Sequence, residues 1–215
     1  MNNLSKRIIT SFFLLSIVII SLSYHKYLWL ILLALVSLFS YIEFNKIVKK
    51  IWKKNQKKIY LINLISFSYL LYFIYTAYLI GFKKDFLFFI LLICIFSDVG
   101  GYFVGKIIGG KKLTKISPNK TISGSLGSFF FSFIAPIIYY NFFNQDILFI
   151  KLLLVTLFLS FTCQIGDLLI SYFKRKAKVK DTGNILPGHG GILDRIDGII
   201  FTVPIAYLIK ILVFI

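Results

Sequence analysis

Residues 171–197 read SYFKRKAKVKDTGNILPGHGGILDRID. This stretch holds six of the chain's 25 Lys and Arg residues, one of its two His residues and three of its eight acids. It joins two runs dominated by Leu, Ile and Phe, roughly 147–173 and 198–215. An apolar run of about 20 residues is long enough to cross a bilayer as a helix. The order is therefore read as membrane helix, polar loop, membrane helix. Carboxylates, cations, glycines and a His gathered at a membrane edge are expected to bind something charged.

The same alternation extends through the chain. Of 215 residues, 58% are hydrophobic and 15% are charged, where a soluble domain carries about 25% charged residues. Seven spans are predicted, at about 8–23, 27–45, 59–81, 86–105, 123–143, 147–173 and 198–215. The apolar runs are continuous rather than alternating, which argues against an outer-membrane barrel. The expected fold class is all-α, a polytopic transmembrane helical bundle. One integral membrane domain, 1–215, is expected, with N-terminal spans in 1–95 and the candidate functional region, with its basic loops, in 96–200. Lys6 and Arg7 ahead of the first apolar run resemble a signal peptide, but a second span follows almost at once and favours a retained first span.

Charge sets the expected orientation. The N-terminus and the loops after spans two, four and six hold twenty Lys and Arg residues, and the opposite side holds Lys26, Lys83 and Lys84. The positive-inside rule puts the N-terminus and the three basic loops in the cytoplasm. The net charge of +17 is thus read as topology and contact with anionic lipid, not as nucleic-acid binding. Cys94 and Cys163 lie in apolar runs and are read as small buried hydrophobes.

Each of the few acids can be weighed. Glu43, Asp85 and Asp146 fall at predicted span ends and are read as interfacial. Asp98 and Asp167 lie inside apolar runs, near the basic side, where an ionisable residue marks function by default. Gly101, Gly105 and Gly109, with Ser97 one step before, recur at a spacing that predicts one smooth helix-packing face. Residues 111–127, KKLTKISPNKTISGSLG, place hydroxyls and amides at a helix start. That suits either an anion or a plain helix cap.

In the 171–197 stretch, Lys174 and Arg175 suit phosphate oxygens. Gly183, Gly188, Gly190 and Gly191 permit tight turns and close backbone approach. Asp167, Asp181, Asp194 and Asp197 are hard oxygen donors suited to Mg²⁺ completed by substrate phosphates. His189, between glycines, can contact a phosphate or move a proton. His25, in a short outer loop, gets no such role.

The stretch resembles the signature of phosphatidate cytidylyltransferases, the CDP-diacylglycerol synthases. It meets about fifteen constrained positions across 27 residues: Ser171, Phe173, Lys174, Arg175, Lys180, Asp181, Gly183, Leu186, Pro187, His189, Gly190, Gly191, Asp194, Arg195 and Asp197. Ser97-Asp98 onward, Ser117-Pro118-Asn119-Lys120-Thr121 and Gly166-Asp167-Leu168 are similar to upstream family segments. The resemblance implies synthesis of CDP-diacylglycerol from CTP and phosphatidate, at the cytoplasmic face of the cell (inner or plasma) membrane. It implies a metal site on Asp167 and Asp194, holding Mg²⁺ with room for a second, monovalent cation. Lys174, Arg175, Asp181, His189 and Asp197 are the further catalytic candidates. Asp98, Ser117, Lys120, Thr121, Ser171, Lys180, Gly190, Gly191 and Arg195 are the substrate-binding candidates. CTP, phosphatidate and membrane lipids are the expected partners, with a homodimer left open. The chain is shorter than is typical of the family, with fewer spans than expected.

Two other readings compete. A CTP-dependent kinase of a polyprenol or phytol would share architecture and nucleotide. A transporter would show broken helices or repeated halves, and neither is visible in the sequence. A CDP-alcohol phosphotransferase needs a different Asp motif, because Asp197-Gly198 leads straight into an apolar run.

Overall fold

The computed structural model describes residues 3–114, 117–143, 148–186, 188 and 190–213. Pro187 and His189 of the signature, Lys115 of a basic loop and Asp146 lie outside the described residues. The described chain is helical: α1 (Asn3–Tyr24), α2 (Lys26–Ile51), α3 (Gln56–Gly81), α4 (Lys84–Ile108), α5 (Ile122–Ser132), α6 (Ile134–Phe143), α7 (Phe149–Lys176), α8 (Leu193–Ile196) and α9 (Ile199–Val213). Five segments are long and apolar enough to cross a membrane: α2, α3, α4, Ile122–Phe143 and α7. Phe12–Tyr24 and Ile199–Ile211 are shorter apolar helices. Large apolar side chains such as Leu61, Ile65, Phe130 and Phe158 are exposed. In water they would form a patch that monomers avoid; lipid solvates them. The chain is a multi-pass membrane protein with the all-α class expected.

Contacts divide the chain into two compact units, Met1–Phe82 with Phe173–Ile196, and Lys83–Tyr172 with Asp197–Ile215. Helix α7 runs from the second unit into the first.

In the first unit, α2 buries Leu33, Ser37, Ser40, Glu43 and Ile47, a stripe at helical spacing. Helix α3 answers with Leu70, Phe73, Ala77 and Ile80. Trp29 Nε1 donates to the Ala77 carbonyl at 3.2 Å, over Gly81, where an added Cβ would strike the indole. The Asn63 amide donates to Asn45 Oδ1 at 3.0 Å. Asn55 caps α3 by accepting from Lys58 N. Helix α2 continues past the predicted end at residue 45, because Lys46, Lys49 and Lys50 form helix well and favour the negative C-terminal end. Glu43 therefore lies inside the helix, not at its end as expected, and is 1% exposed.

In the second unit, α4 and α5 approach closely along glycine. An added Cβ on Gly100 would lie 2.5 Å from the Gly127 carbonyl, and one on Gly124 2.8 Å from the Gly101 carbonyl. The packing face thus runs through Gly100, Gly101 and Gly105. Gly109 is not part of it: it ends α4 at φ 62° with no neighbour where its Cβ would stand. Phe89, Ile90, Ile93, Leu152 and Leu159 fill the core. Helix α9 lies against α7 through Gly198, which meets Cys163, and Gly166, which meets Phe201 and the Asp197 carbonyl. The buried Cys94 and Cys163 agree with the reading as hydrophobes.

Candidate functional site

The first unit holds a polar cluster built on the end of α7 and the segment leading to α8. The last turn of α7 carries Lys174, Arg175 and Lys176. Lys174 Nζ donates to Asp194 Oδ1 at 2.7 Å, and the Asp194 side chain is only 6% exposed. Its other oxygen, Oδ2, accepts from Thr182 N at 2.7 Å, Thr182 Oγ1 at 3.0 Å and Gly191 N at 3.0 Å. Burial pushes the Asp194 carboxyl up, but the Lys174 ammonium and the two backbone N–H groups outweigh it and hold the group below the ordinary carboxylate range. Leu186 and Gly190 exchange backbone hydrogen bonds at 2.9 and 3.2 Å across a tight turn. That turn uses Gly188 at φ 77° and Gly190 at φ 85°, a region open to glycine at little cost. Asp181 and Arg175 are exposed, as are Lys180 and Arg195. Arg175 and Lys180 make no ion pair among the described residues.

The second unit holds the other cluster. Lys120 forms an ion pair with Asp167 Oδ2. Ser171, one turn on, donates to Asp167 Oδ1 at 3.3 Å. Asp98, exposed on α4, lies close enough to Asp167 and Lys120 to feel both charges. The loop before α5 sets Lys120. Leu113 N donates to the Lys120 carbonyl at 2.8 Å, and Lys120 N to the carbonyl of the buried Ser117 at 3.0 Å. Thr121 caps α5, its hydroxyl accepting from Gly124 N at 3.0 Å. Asp197 accepts from Gly198 N at 2.9 Å, at the start of α9.

The two clusters thus take in Asp98, Ser117, Lys120, Thr121, Asp167 and Ser171 on one hand, and Lys174, Gly190, Gly191 and Asp194 on the other. His189 lies outside the described residues. Two residues that the sequence did not single out join the first cluster. Thr182 donates to Glu43 Oε2 at 2.8 Å as well as facing Asp194, and Glu43 also accepts from Ile192 N and Leu193 N, each at 3.0 Å. The available signal was the rarity of acids in the apolar segments, which applied to Glu43 as much as to Asp98.

The donor chemistry suits Mg²⁺ unequally. Among the described residues no three His, Cys, Asp or Glu side chains gather into a metal cage. Mg²⁺ is commonly held by one or two carboxylates and completed by phosphates and water. Asp167 fits that pattern: it is 28% exposed, and Oδ1 takes a single long hydroxyl bond. Asp194 fits less well, because Lys174 Nζ and two backbone N–H groups already take three of its roughly four acceptor positions, and the Thr182 hydroxyl, shared with Glu43, stands against Oδ2. Only Oδ1 retains capacity, beside the Lys174 ammonium.

Comparison with known proteins follows the same segment. The model of a cytidylyltransferase family matches residues 55–213. A protein of Bacillus subtilis (strain 168) named phosphatidate cytidylyltransferase is 44% identical over 137 residues, covering 63% of this chain and 51% of the relative. Proteins of the same name from Staphylococcus haemolyticus (strain JCSC1435) and Staphylococcus aureus (strain COL) are 48% and 50% identical over 115 and 117 residues. Each of those matches covers 53% of this chain and 44% of the relative. The chain spans about half the length of the curated relatives it matches.

Proposed function

Because the chain belongs to the cytidylyltransferase family, we propose that it transfers CMP from CTP to phosphatidate, yielding CDP-diacylglycerol and pyrophosphate. The observation that carries this reading is the family match over 55–213, which takes in every residue of the two clusters except Glu43. The name shared by the relatives supplies the substrate pair.

In this reaction an oxygen of the lipid phosphate attacks the α-phosphorus of CTP. A new P–O bond forms as the bond to the α–β bridging oxygen breaks, and pyrophosphate leaves with the electron pair. Both reactants are polyanions, so catalysis consists mostly of holding them together and neutralising charge. Exposed Arg175 and Lys180 suit the triphosphate; Lys120, in the open pair with Asp167, suits an exchange of that partner for a phosphate oxygen, while Lys174 stays on Asp194 and adds positive charge to its own cluster. A phosphate dianion is already a nucleophile and needs no general base. Asp167 is the proposed principal Mg²⁺ ligand; Asp194 as a second carboxylate, and an accompanying monovalent cation, are proposed on the family resemblance alone; bound metal would neutralise phosphate charge. Asp98 and Ser171 shape the surroundings of Asp167. Asp181, His189, Arg195 and Asp197 belong to the proposed site without an assigned step. The basic loops support a site open to the cytoplasm, where CTP is found.

The test is an assay of the detergent-purified chain with Mg²⁺, phosphatidate and CTP labelled at the α-phosphate. Labelled lipid with released pyrophosphate is expected. Transfer only of the γ-phosphate, with CDP released, would make the chain a lipid kinase. No transfer to phosphatidate or dolichol would end the enzymatic reading.

A further inference from the structure

Glu43 lies outside the residues matched by the family model, and it is 1% exposed, inside α2 and about two turns before its end. Among the described residues the donors that meet it are neutral: Ile192 N on Oε1, and Thr182 Oγ1 and Leu193 N on Oε2. Burying a carboxylate is costly unless its oxygens are satisfied. An apolar side chain of similar size would often serve stability as well or better. A burial of this kind is therefore better explained by what the carboxylate holds than by what it contributes to the core.

What it holds is the segment that bears Asp194. An added Cβ on Gly183 would lie 2.5 Å from Glu43 Oε1, and one on Gly191 would collide with both Glu43 Oε2 and Thr182 Oγ1. Neither glycine has a positive φ. Both are glycine because the segment wraps the carboxylate, not because the backbone turns sharply there. The same groups then face Asp194. Gly191 N and Thr182 N donate to Asp194 Oδ2, and the Thr182 hydroxyl stands between the two carboxylates, at 2.8 Å from Glu43 and 3.0 Å from Asp194. A hydroxyl has one proton to donate, so Thr182 couples the two acids and does not simply fill two vacant acceptors.

We infer that Glu43 is a positioning residue: from α2 it holds Thr182, Ile192 and Leu193 so that Asp194, and through it Lys174, are presented in one fixed arrangement. This rests on the cytidylyltransferase reading for its effect on turnover, while the clamp itself rests on geometry alone.

The test uses the full chain in detergent, with Glu43→Gln and Thr182→Val, and Thr182→Ser as the conservative variant. Glu43→Gln keeps the size but turns one acceptor into a donor that opposes the N–H groups. Amide hydrogen exchange of the 182–194 peptide should accelerate about tenfold or more, with α3 and α4 peptides unchanged. The kcat for CMP transfer should fall about tenfold, with KM for CTP within about twofold, as expected for an interaction realised in the transition state. Thr182→Val should behave similarly, and Thr182→Ser should stay near wild type. Unchanged exchange in the 182–194 peptide would overturn the inference, as would wild-type kcat with the segment loosened. Faster exchange across all helices would also overturn it, by making Glu43 a general stability residue. If the wild-type chain transfers no CMP to lipid, the functional reading falls by itself. The exchange rates, which need no substrate, then still decide for or against the clamp.

Discussion

Lys174–Asp194 and Lys120–Asp167 are the same residue types in two different settings. The first pair is largely buried, at 13% and 6% exposure, and Asp194 also accepts from two backbone N–H groups and faces the Thr182 hydroxyl that it shares with Glu43. The second pair is open, at 29% and 28%, and Asp167 has one further, long bond. A buried pair whose carboxylate is also held by backbone N–H groups is committed to the protein, and removing one partner strands the other. An open pair is worth little to stability and can exchange partners. One acid thus holds a loop in shape, while the other keeps capacity for a cation or a phosphate-bound metal.

The sharpest way to break this contrast is to replace each acid in turn. Asp194→Ala leaves Lys174 and two backbone N–H groups buried and unpaired. We expect it to abolish turnover and to cost about 3–5 kcal/mol in stability, read from denaturation in detergent. Asp167→Asn should lower kcat by about 10²–10³ but shift stability by no more than about 1 kcal/mol. Equal stability losses in the two variants would erase the distinction.

A packing control comes next. Gly100→Ala drives a Cβ into the α5 backbone and should cost about 1–3 kcal/mol, with activity lost only in proportion to unfolded protein. Acid titration sharpens the difference further. The folded-state pKa of Asp194 lies below its unfolded value, so its stabilisation is fully present above the ordinary carboxylate range and is lost as pH falls through the folded value. Asp194→Asn should therefore flatten the loss of stability on acidification, and an unchanged acid limb would contradict the donor-held carboxylate. The smallest effect is expected from exposed Arg175→Ala: a rise of a few-fold in KM for CTP, diminishing at high salt, with kcat nearly unchanged.

The 171–197 stretch could be read because its chemistry is local. Lys174, Arg175 and the glycines occur within a few residues of one another, and the apolar runs on both sides announce helices by length alone. Asp98 and Asp167 could be read because a lone acid in an apolar run has few explanations. Thr182 was passed over because a threonine in a polar loop is ordinary. Glu43 was misread because the end of α2 was drawn at its first lysines, which continue the helix instead. Gly109 was assigned to packing because spacing cannot distinguish a face from a C-cap.

By itself, then, the sequence determined the helical membrane class, the basic loops and the residue types of the charged clusters, since hydropathy and charge act along the chain. Only the tertiary structure decided which acid is buried under several donors and which remains open. It alone also revealed that a carboxylate in α2 serves a loop more than a hundred residues later. Both depend on hydrogen-bond donors that reach an acid through space, and no spacing along the chain records them.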